Sequence, residues 1–197
     1  MAVVRNDKPI IYKIVFMGES GVGKSSLATR IACNKFETYT EATIGASYFG
    51  KIIEQDQKIY KFNIWDTAGQ EKYSCLVPLY YRNSDGALIV YDITNRNSYR
   101  KAISSIDELR KKSSVSAIII IGNKCDLNRE RRVTTEEAKE YCDKNNVIFM
   151  ETSAKDNINI KDILATLIKK LPPPIRNINE LPTVPIAENS VNFHCCY

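Results

Sequence analysis

Short apolar runs alternate with amphipathic stretches along this chain. Ile10 to Met17 is mostly apolar and predicts a buried strand ending at Gly18, with a helix expected from Lys24. Tyr48 to Glu54 and Ile59 to Trp65 flank the polar run Gln55-Asp56-Gln57-Lys58, which predicts a two-stranded hairpin. Gly86 to Tyr91, Ala117 to Ile121 and Val147 to Met150 are three further strand candidates rich in Ile and Val. Helical periodicity lies between them. Ile103, Ile106 and Leu109 share a face within Asn97 to Lys112, and Ile160, Ile163, Leu164, Leu167, Ile168 and Leu171 form the stripe of a last helix. Thr134 is the expected N-cap of another helix, with Glu137 completing a capping box.

Strands that alternate with helices imply an α/β fold, a mostly parallel sheet covered on both faces. The hairpin adds one antiparallel edge strand. Ligands of such sheets bind beyond the carboxyl ends of the strands. Pro172-Pro173-Pro174 stops the last helix, because proline has no N–H and its ring clashes with the preceding turn. The chain therefore divides into a domain over 1–171 and a flexible tail over 172–197, poor in apolar periodicity and rich in Asn and Pro. Fully extended, the tail reaches at most roughly 85 Å.

Composition narrows the chemistry. Apolar residues make up 44% of the chain, enough for a sizeable core. The net charge of +5 is modest, and it lacks the dense basic stripe of a nucleic-acid binder, so no nucleic-acid partner is expected. The single histidine, His194, lies in the tail, which removes Ser-His-Asp catalysis and histidine-ligated zinc. None of the six cysteines forms a Cys-x-x-Cys pair, which argues against a zinc site or a disulfide framework and points to a reducing cytosolic compartment. Met1-Ala2-Val3-Val4-Arg5 does not read as a signal peptide, and Ala2 stands where N-myristoylation needs glycine. The apolar runs are too short to span a bilayer.

Four runs carry chemistry, and each follows a predicted strand. Gly18-Glu19-Ser20-Gly21-Val22-Gly23-Lys24-Ser25 fits G-x-x-x-x-G-K-[ST]. Its glycines let backbone N–H groups turn toward phosphate oxygens, Lys24 meets the β/γ charge, and Ser25 offers a hydroxyl to Mg²⁺. Asp66-Thr67-Ala68-Gly69-Gln70 places an acid for Mg²⁺, through water, and a glycine whose N–H can meet a γ-phosphate. Asn123-Lys124-Cys125-Asp126 supplies a carboxylate that accepts from guanine N1–H and the exocyclic amine, with the Lys124 stem along the base. Adenine lacks both donors, and a site built for them rejects it, so GTP is expected over ATP. Thr152-Ser153-Ala154-Lys155 follows the last strand, where the Ala154 backbone can meet the base oxygen.

These four runs, in this order, resemble the Ras-like small GTPases over roughly residues 8–171. Thr43-Ile44-Gly45-Ala46-Ser47-Tyr48, Trp65 to Tyr73, Leu79-Tyr80-Tyr81-Arg82 and the terminal cysteines resemble the Rab subfamily, and Ile44 to Ser47 and Val90 to Asn95 are most like its early-endosomal branch. The resemblance implies a P-loop NTPase three-layer sandwich with a six-stranded sheet. It implies a monomer that binds GTP or GDP with Mg²⁺, hydrolyses GTP slowly, and acts as a switch in vesicle traffic, attached to endosomal or other membranes through a lipid anchor. Nucleotide contacts carry over to Ser20, Gly21, Val22, Gly23, Lys24, Ser25, Ser26, Phe36, Thr43, Gly69, Asn123, Lys124, Asp126, Ser153, Ala154 and Lys155. Mg²⁺ falls to Ser25, Thr43 and Asp66, and Gln70 orients the attacking water. Ile44, Tyr48, Trp65 and Tyr80 meet effectors, although simple packing explains Trp65 equally well. The family usually has Phe where Tyr48 stands.

The resemblance further implies an exchange factor, a GTPase-activating protein, a GDP-dissociation inhibitor and a prenylation escort protein as partners. His194-Cys195-Cys196-Tyr197 is not a C-a-a-X box, and Cys195 and Cys196 resemble a double geranylgeranylation site. One lipid chain anchors only marginally and this tail has no basic patch, so both cysteines are needed. The expected location is the cytosol, in exchange with the cytoplasmic face of endosomal or other vesicle membranes. A reading of a different class also stands: a guanine-nucleotide-binding scaffold that does not cycle. Intact Ser25, Thr43 and Gln70 favour the switch.

Overall fold

A computed structural model describes residues 8–39, 41–70 and 77–173. Its strands are β1 (Ile10–Met17), β2 (Ala46–Gln55), β3 (Lys58–Thr67), β4 (Gly86–Asp92), β5 (Ala117–Asn123) and β6 (Ile148–Glu151). Its helices are α1 (Lys24–Cys33), α2 (Val77–Tyr81), α3 (Arg96–Lys112), α4 (Thr135–Lys144) and α5 (Ile160–Lys170). The strands form one sheet in the order β2-β3-β1-β4-β5-β6. Only the β2–β3 pair is antiparallel, which puts the hairpin at one edge as expected.

Strand alternation divides the core in two. Ile14 and Phe16 of β1, Leu88 and Val90 of β4, and Ile119 and Ile121 of β5 face α1 and α5, whose Leu27, Ile31, Ile163 and Leu167 are buried against them. Val15, Met17, Ile89, Tyr91 and Ile120 face the other way, onto Tyr99, Ile106 and Leu109 of α3 and Cys142 of α4. Each fully buried Leu or Ile contributes about 1.5–3 kcal/mol relative to exposure, so these stripes hold the three layers together. β4 is buried at every position because helices cover both of its faces.

The element ends differ from expectation in small ways with clear causes. The strands of the hairpin run to Gln55 and Lys58, leaving a two-residue turn at Asp56 and Gln57. Both residues have positive φ, 50° and 62°, the backbone of a type I′ turn that matches strand twist. α3 starts one residue early because Asn95 caps it, accepting from the N–H groups of Asn97 and Ser98. Thr134 does cap α4 by accepting from the Glu137 N–H at 3.1 Å. The box is not reciprocal, however: the Glu137 carboxylate is taken by Arg96 in a bidentate pair at 2.9 and 2.6 Å.

Cys125 and Cys142 are free, whereas Cys33 at the end of α1 is disulfide-bonded. This corrects the cysteine reading at one position. Scattered cysteines argue against a framework of several bridges, but folding can still bring two distant residues together. No helix among the described residues is long and apolar enough to cross a membrane. Cys195, Cys196 and the tail beyond Pro173 lie outside the described residues, as do Glu71, Lys72 and Tyr73.

Candidate functional site

The carboxyl ends of β1, β3, β5 and β6 surround a cavity of about 440 Å³. The loop after β1 forms its floor. A Cβ at Gly18 would sit 2.2 Å from the Val90 carbonyl oxygen, so only glycine lets the loop leave the sheet against β4. Gly23 caps α1 at φ 95° with no side-chain hydrogen bond, so the first N–H groups of the helix are left for a ligand. Those N–H groups and the positive end of the helix dipole favour an anion there. A Cβ on Gly23 would also collide with Asn123 Nδ2 at 2.3 Å.

Lys24 is buried, and its ammonium donates to the Glu19 carbonyl at 2.8 Å. Burial lowers its pKa, against which Asp66 and Glu19 act to keep the charge. Beside it, three oxygens converge. Ser25 Oγ donates to Asp66 Oδ2 at 2.5 Å and lies 2.9 Å from Thr43 Oγ1, which is itself 3.4 Å from Asp66. Asp66 is buried, and its Oδ1 has no hydrogen-bond partner among the described residues. Burial raises its carboxyl to about 6, with Ser25, Lys24 and Thr43 pulling the other way. Two hydroxyls and a carboxylate with an unpaired oxygen are the all-oxygen donor set that a small hard cation takes. Among the described residues no cluster of three or more His, Cys, Asp or Glu offers an alternative place. Mg²⁺ therefore fits at Ser25, Thr43 and Asp66.

At the other end of the cavity, Asn123 is a brace. Its Nδ2 donates to the Val22 carbonyl at 2.9 Å, and its Oδ1 accepts from Thr152 Oγ1 at 3.2 Å and from the Ala154 N–H at 3.3 Å. It thereby fixes the distance between the phosphate-type loop and the β6 loop. Lys124 stretches across the cavity: its ammonium donates to the Gly21 carbonyl at 2.8 Å and pairs with Asp92 at 2.7 Å. Asp126 lines the wall, with one carboxylate oxygen accepting from Ser153 Oγ at 2.6 Å. A carboxylate keeps further lone pairs, so Asp126 can still accept from a planar ligand bearing two adjacent N–H groups.

Most of the residues expected from sequence line this one cavity: Ser20, Gly21, Gly23, Lys24, Ser25, Ser26, Phe36, Thr43, Gly69, Gln70, Asn123, Lys124, Asp126, Ala154 and Lys155. Val22, Asp66 and Ser153 stand behind the wall, each through the hydrogen bonds given above. Glu37, Thr38, Glu41, Ala42 and Leu127 also line it and carry no sequence signal. Gly69 is pressed onto the floor, where a Cβ would meet Lys24 Nζ at 2.5 Å and the Glu19 backbone at 2.6 Å.

The four residues expected to meet partners lie outside the cavity. Ile44 is 71% exposed. Tyr48 meets Trp65 edge-on at 5.5 Å, and Trp65 meets Tyr80 at 5.8 Å, so the three rings form one continuous row. The Tyr48 hydroxyl donates to Asn63 Oδ1 at 2.7 Å, which fixes the ring and adds a polar edge to the row. Trp65 and Tyr80 also pack on the second core, so packing and surface roles coexist there. In a comparison with known protein families, the model of the Ras family matches residues 13–172.

Proposed function

The chain belongs to the Ras family of small GTPases, and on that premise we propose that it is a Rab-type switch that binds GTP and GDP with Mg²⁺ and slowly hydrolyses GTP. One observation supports this above the rest. A phosphate-type loop, a hydroxyl–carboxylate set and a carboxylate suited to guanine line or back a single cavity. Its size suits a nucleotide.

In this reading the α1 N-terminus and Lys24 bind the phosphates, and Asp126 and Lys124 orient the base. Ser25, Thr43 and Asp66 hold Mg²⁺, which supplies charge neutralisation at the phosphate oxygens. Gln70, on the cavity wall, orients a water toward the γ-phosphate. Thr43 and Gly69 are the contacts that a γ-phosphate adds and its loss removes, so they read which nucleotide is present. No arginine in cis is required, because an activating partner can supply one. The row of Tyr48, Trp65 and Tyr80 with Ile44 is the surface for effectors. Exchange factor, activating protein, GDP-dissociation inhibitor and escort protein complete the cycle. Cys195 and Cys196 carry the lipids that attach the protein to endosomal or other vesicle membranes.

Single-turnover hydrolysis of bound GTP tests the cycle. Slow turnover, accelerated by an activating protein, is expected; none under either condition leaves a nucleotide-holding scaffold. Gln70→Leu should slow hydrolysis by on the order of tenfold to a hundredfold, the cost of misplacing a reacting group, while GTP affinity stays within a factor of two or so. Unchanged turnover removes Gln70 from the mechanism. Ser25→Asn should weaken GTP relative to GDP by roughly ten- to a hundredfold, as expected for one lost contact to a charged group. Equal losses for the two nucleotides, by competition titration, would refute the Mg²⁺ role of Ser25. Mass spectrometry of the protein from its native host tests the lipid assignment; bare Cys195 and Cys196 end it.

A further inference from the structure

Arg30 lies in the last turn of α1 and takes no part in the phosphate or cation chemistry. Its guanidinium is nonetheless committed on every side. Nε donates to the Ala154 carbonyl at 2.8 Å, Nη2 to the Lys155 carbonyl at 2.9 Å, and Nη1 to the Asn34 carbonyl at 2.9 Å. The same group lies 5.8 Å from the centre of the Phe36 ring. Ala154, Lys155 and Phe36 all line the cavity at the end where Asp126 stands. A second, weaker tie joins the same segments, Asn157 Nδ2 to Asn34 Oδ1 at 3.3 Å.

A planar fork with fixed donor directions can set the mutual position of three carbonyls on two backbone segments, which one flexible ammonium cannot do. From this geometry we infer that Arg30 is the positioning residue of the guanine end. It fixes the Ala154–Lys155 loop and Phe36 against the Asn123–Asp126 wall, and so governs how long the nucleotide stays bound. The inference rests on the guanine-nucleotide reading. A cation near a helix carboxyl end also steadies its own helix, and that role alone would change stability without changing the grip on the base. Because Arg30 touches none of Lys24, Ser25, Thr43 or Asp66, its effect on release is independent of the Mg²⁺ side, as expected for separated sites.

The test uses the full chain loaded with methylanthraniloyl-GDP and chased with excess GDP, in Mg²⁺ and in EDTA, with thermal unfolding of the GDP-saturated protein alongside. Arg30→Ala should release nucleotide about tenfold faster in Mg²⁺, the scale of one lost charge-assisted hydrogen bond. The further acceleration by EDTA should be the same factor as in the wild type. Arg30→Lys, which keeps the charge and loses the fork, should fall between the two. Release within twofold of wild type for both variants overturns the inference. So does an EDTA factor near one in Arg30→Ala, since the loss is then not confined to the base end. If Arg30→Ala does not fold, Arg30→Lys decides by the same criteria. A wild-type chain that retains no guanine nucleotide sinks the functional reading itself, whereas equal retention by wild type and variants sinks only the role of Arg30.

Discussion

Asp126→Ala is expected to lower affinity for GDP and GTP by roughly 10²–10⁴-fold. Two hydrogen bonds to a carboxylate are lost, each about 1.5–3 kcal/mol. The N–H groups of the base are then left unpaired against the wall of the cleft, which is why the loss exceeds that of a surface contact. Asp126 also holds Ser153 at 2.6 Å, so the β6 loop loosens with it. Discrimination against adenine nucleotides should fall at the same time, because the carboxylate is the group that tells the bases apart. Fluorescent-nucleotide displacement measures both quantities. A change below tenfold in guanine affinity would show that Asp126 does not face the base.

The second large effect is expected at Gly69. Unlike Gly18 and Gly23 it has no positive φ, so the glycine answers to space and not to backbone conformation. An added methyl has nowhere to go between Lys24 Nζ at 2.5 Å and the Glu19 backbone at 2.6 Å. The lysine can move, but the Glu19 backbone belongs to the loop that holds the phosphates. Gly69→Ala should therefore separate the floor from the segment that reaches the γ-phosphate. A displacement of this size costs on the order of a hundredfold in turnover. Overpacking at one such contact costs about 1–3 kcal/mol of stability, so the protein should still fold. GDP retention should change far less than hydrolysis. Single-turnover hydrolysis within threefold of the wild type would contradict this account of Gly69.

Features that act within a short stretch of chain were legible before any coordinates. The strand–loop–helix context of Gly18 to Ser25, the stripe of α5 and the capping threonine Thr134 depend on near neighbours, and all three stand in the structure as read. Features that depend on distant backbone were not. Arg30 contacts carbonyls more than a hundred residues away, and a carbonyl belongs to every residue type, so no side-chain pattern announces it. The capping-box spacing assigns Glu137 to its own helix, and Arg96, far off in sequence, takes its carboxylate instead. The motif places Asn123 among the nucleotide contacts, and in the fold its polar atoms also serve Val22, Thr152 and Ala154. The bracing role became visible only once three strand ends stood side by side.

The hydroxyl of Tyr12 donates to the carbonyl of Pro172 at 3.0 Å, pinning the exit of α5 to the start of β1. From there β1 runs six residues to Gly18, about 20 Å at strand spacing. The chain thus leaves the domain at the pole opposite the cavity. A load applied there would be borne by the start of β1 and the end of α5, with the length of a strand between it and the Gly18–Ser25 loop. Under the proposed attachment through Cys195 and Cys196, tethering and nucleotide exchange would be mechanically separate, with the open mouth of the cavity left facing the far side.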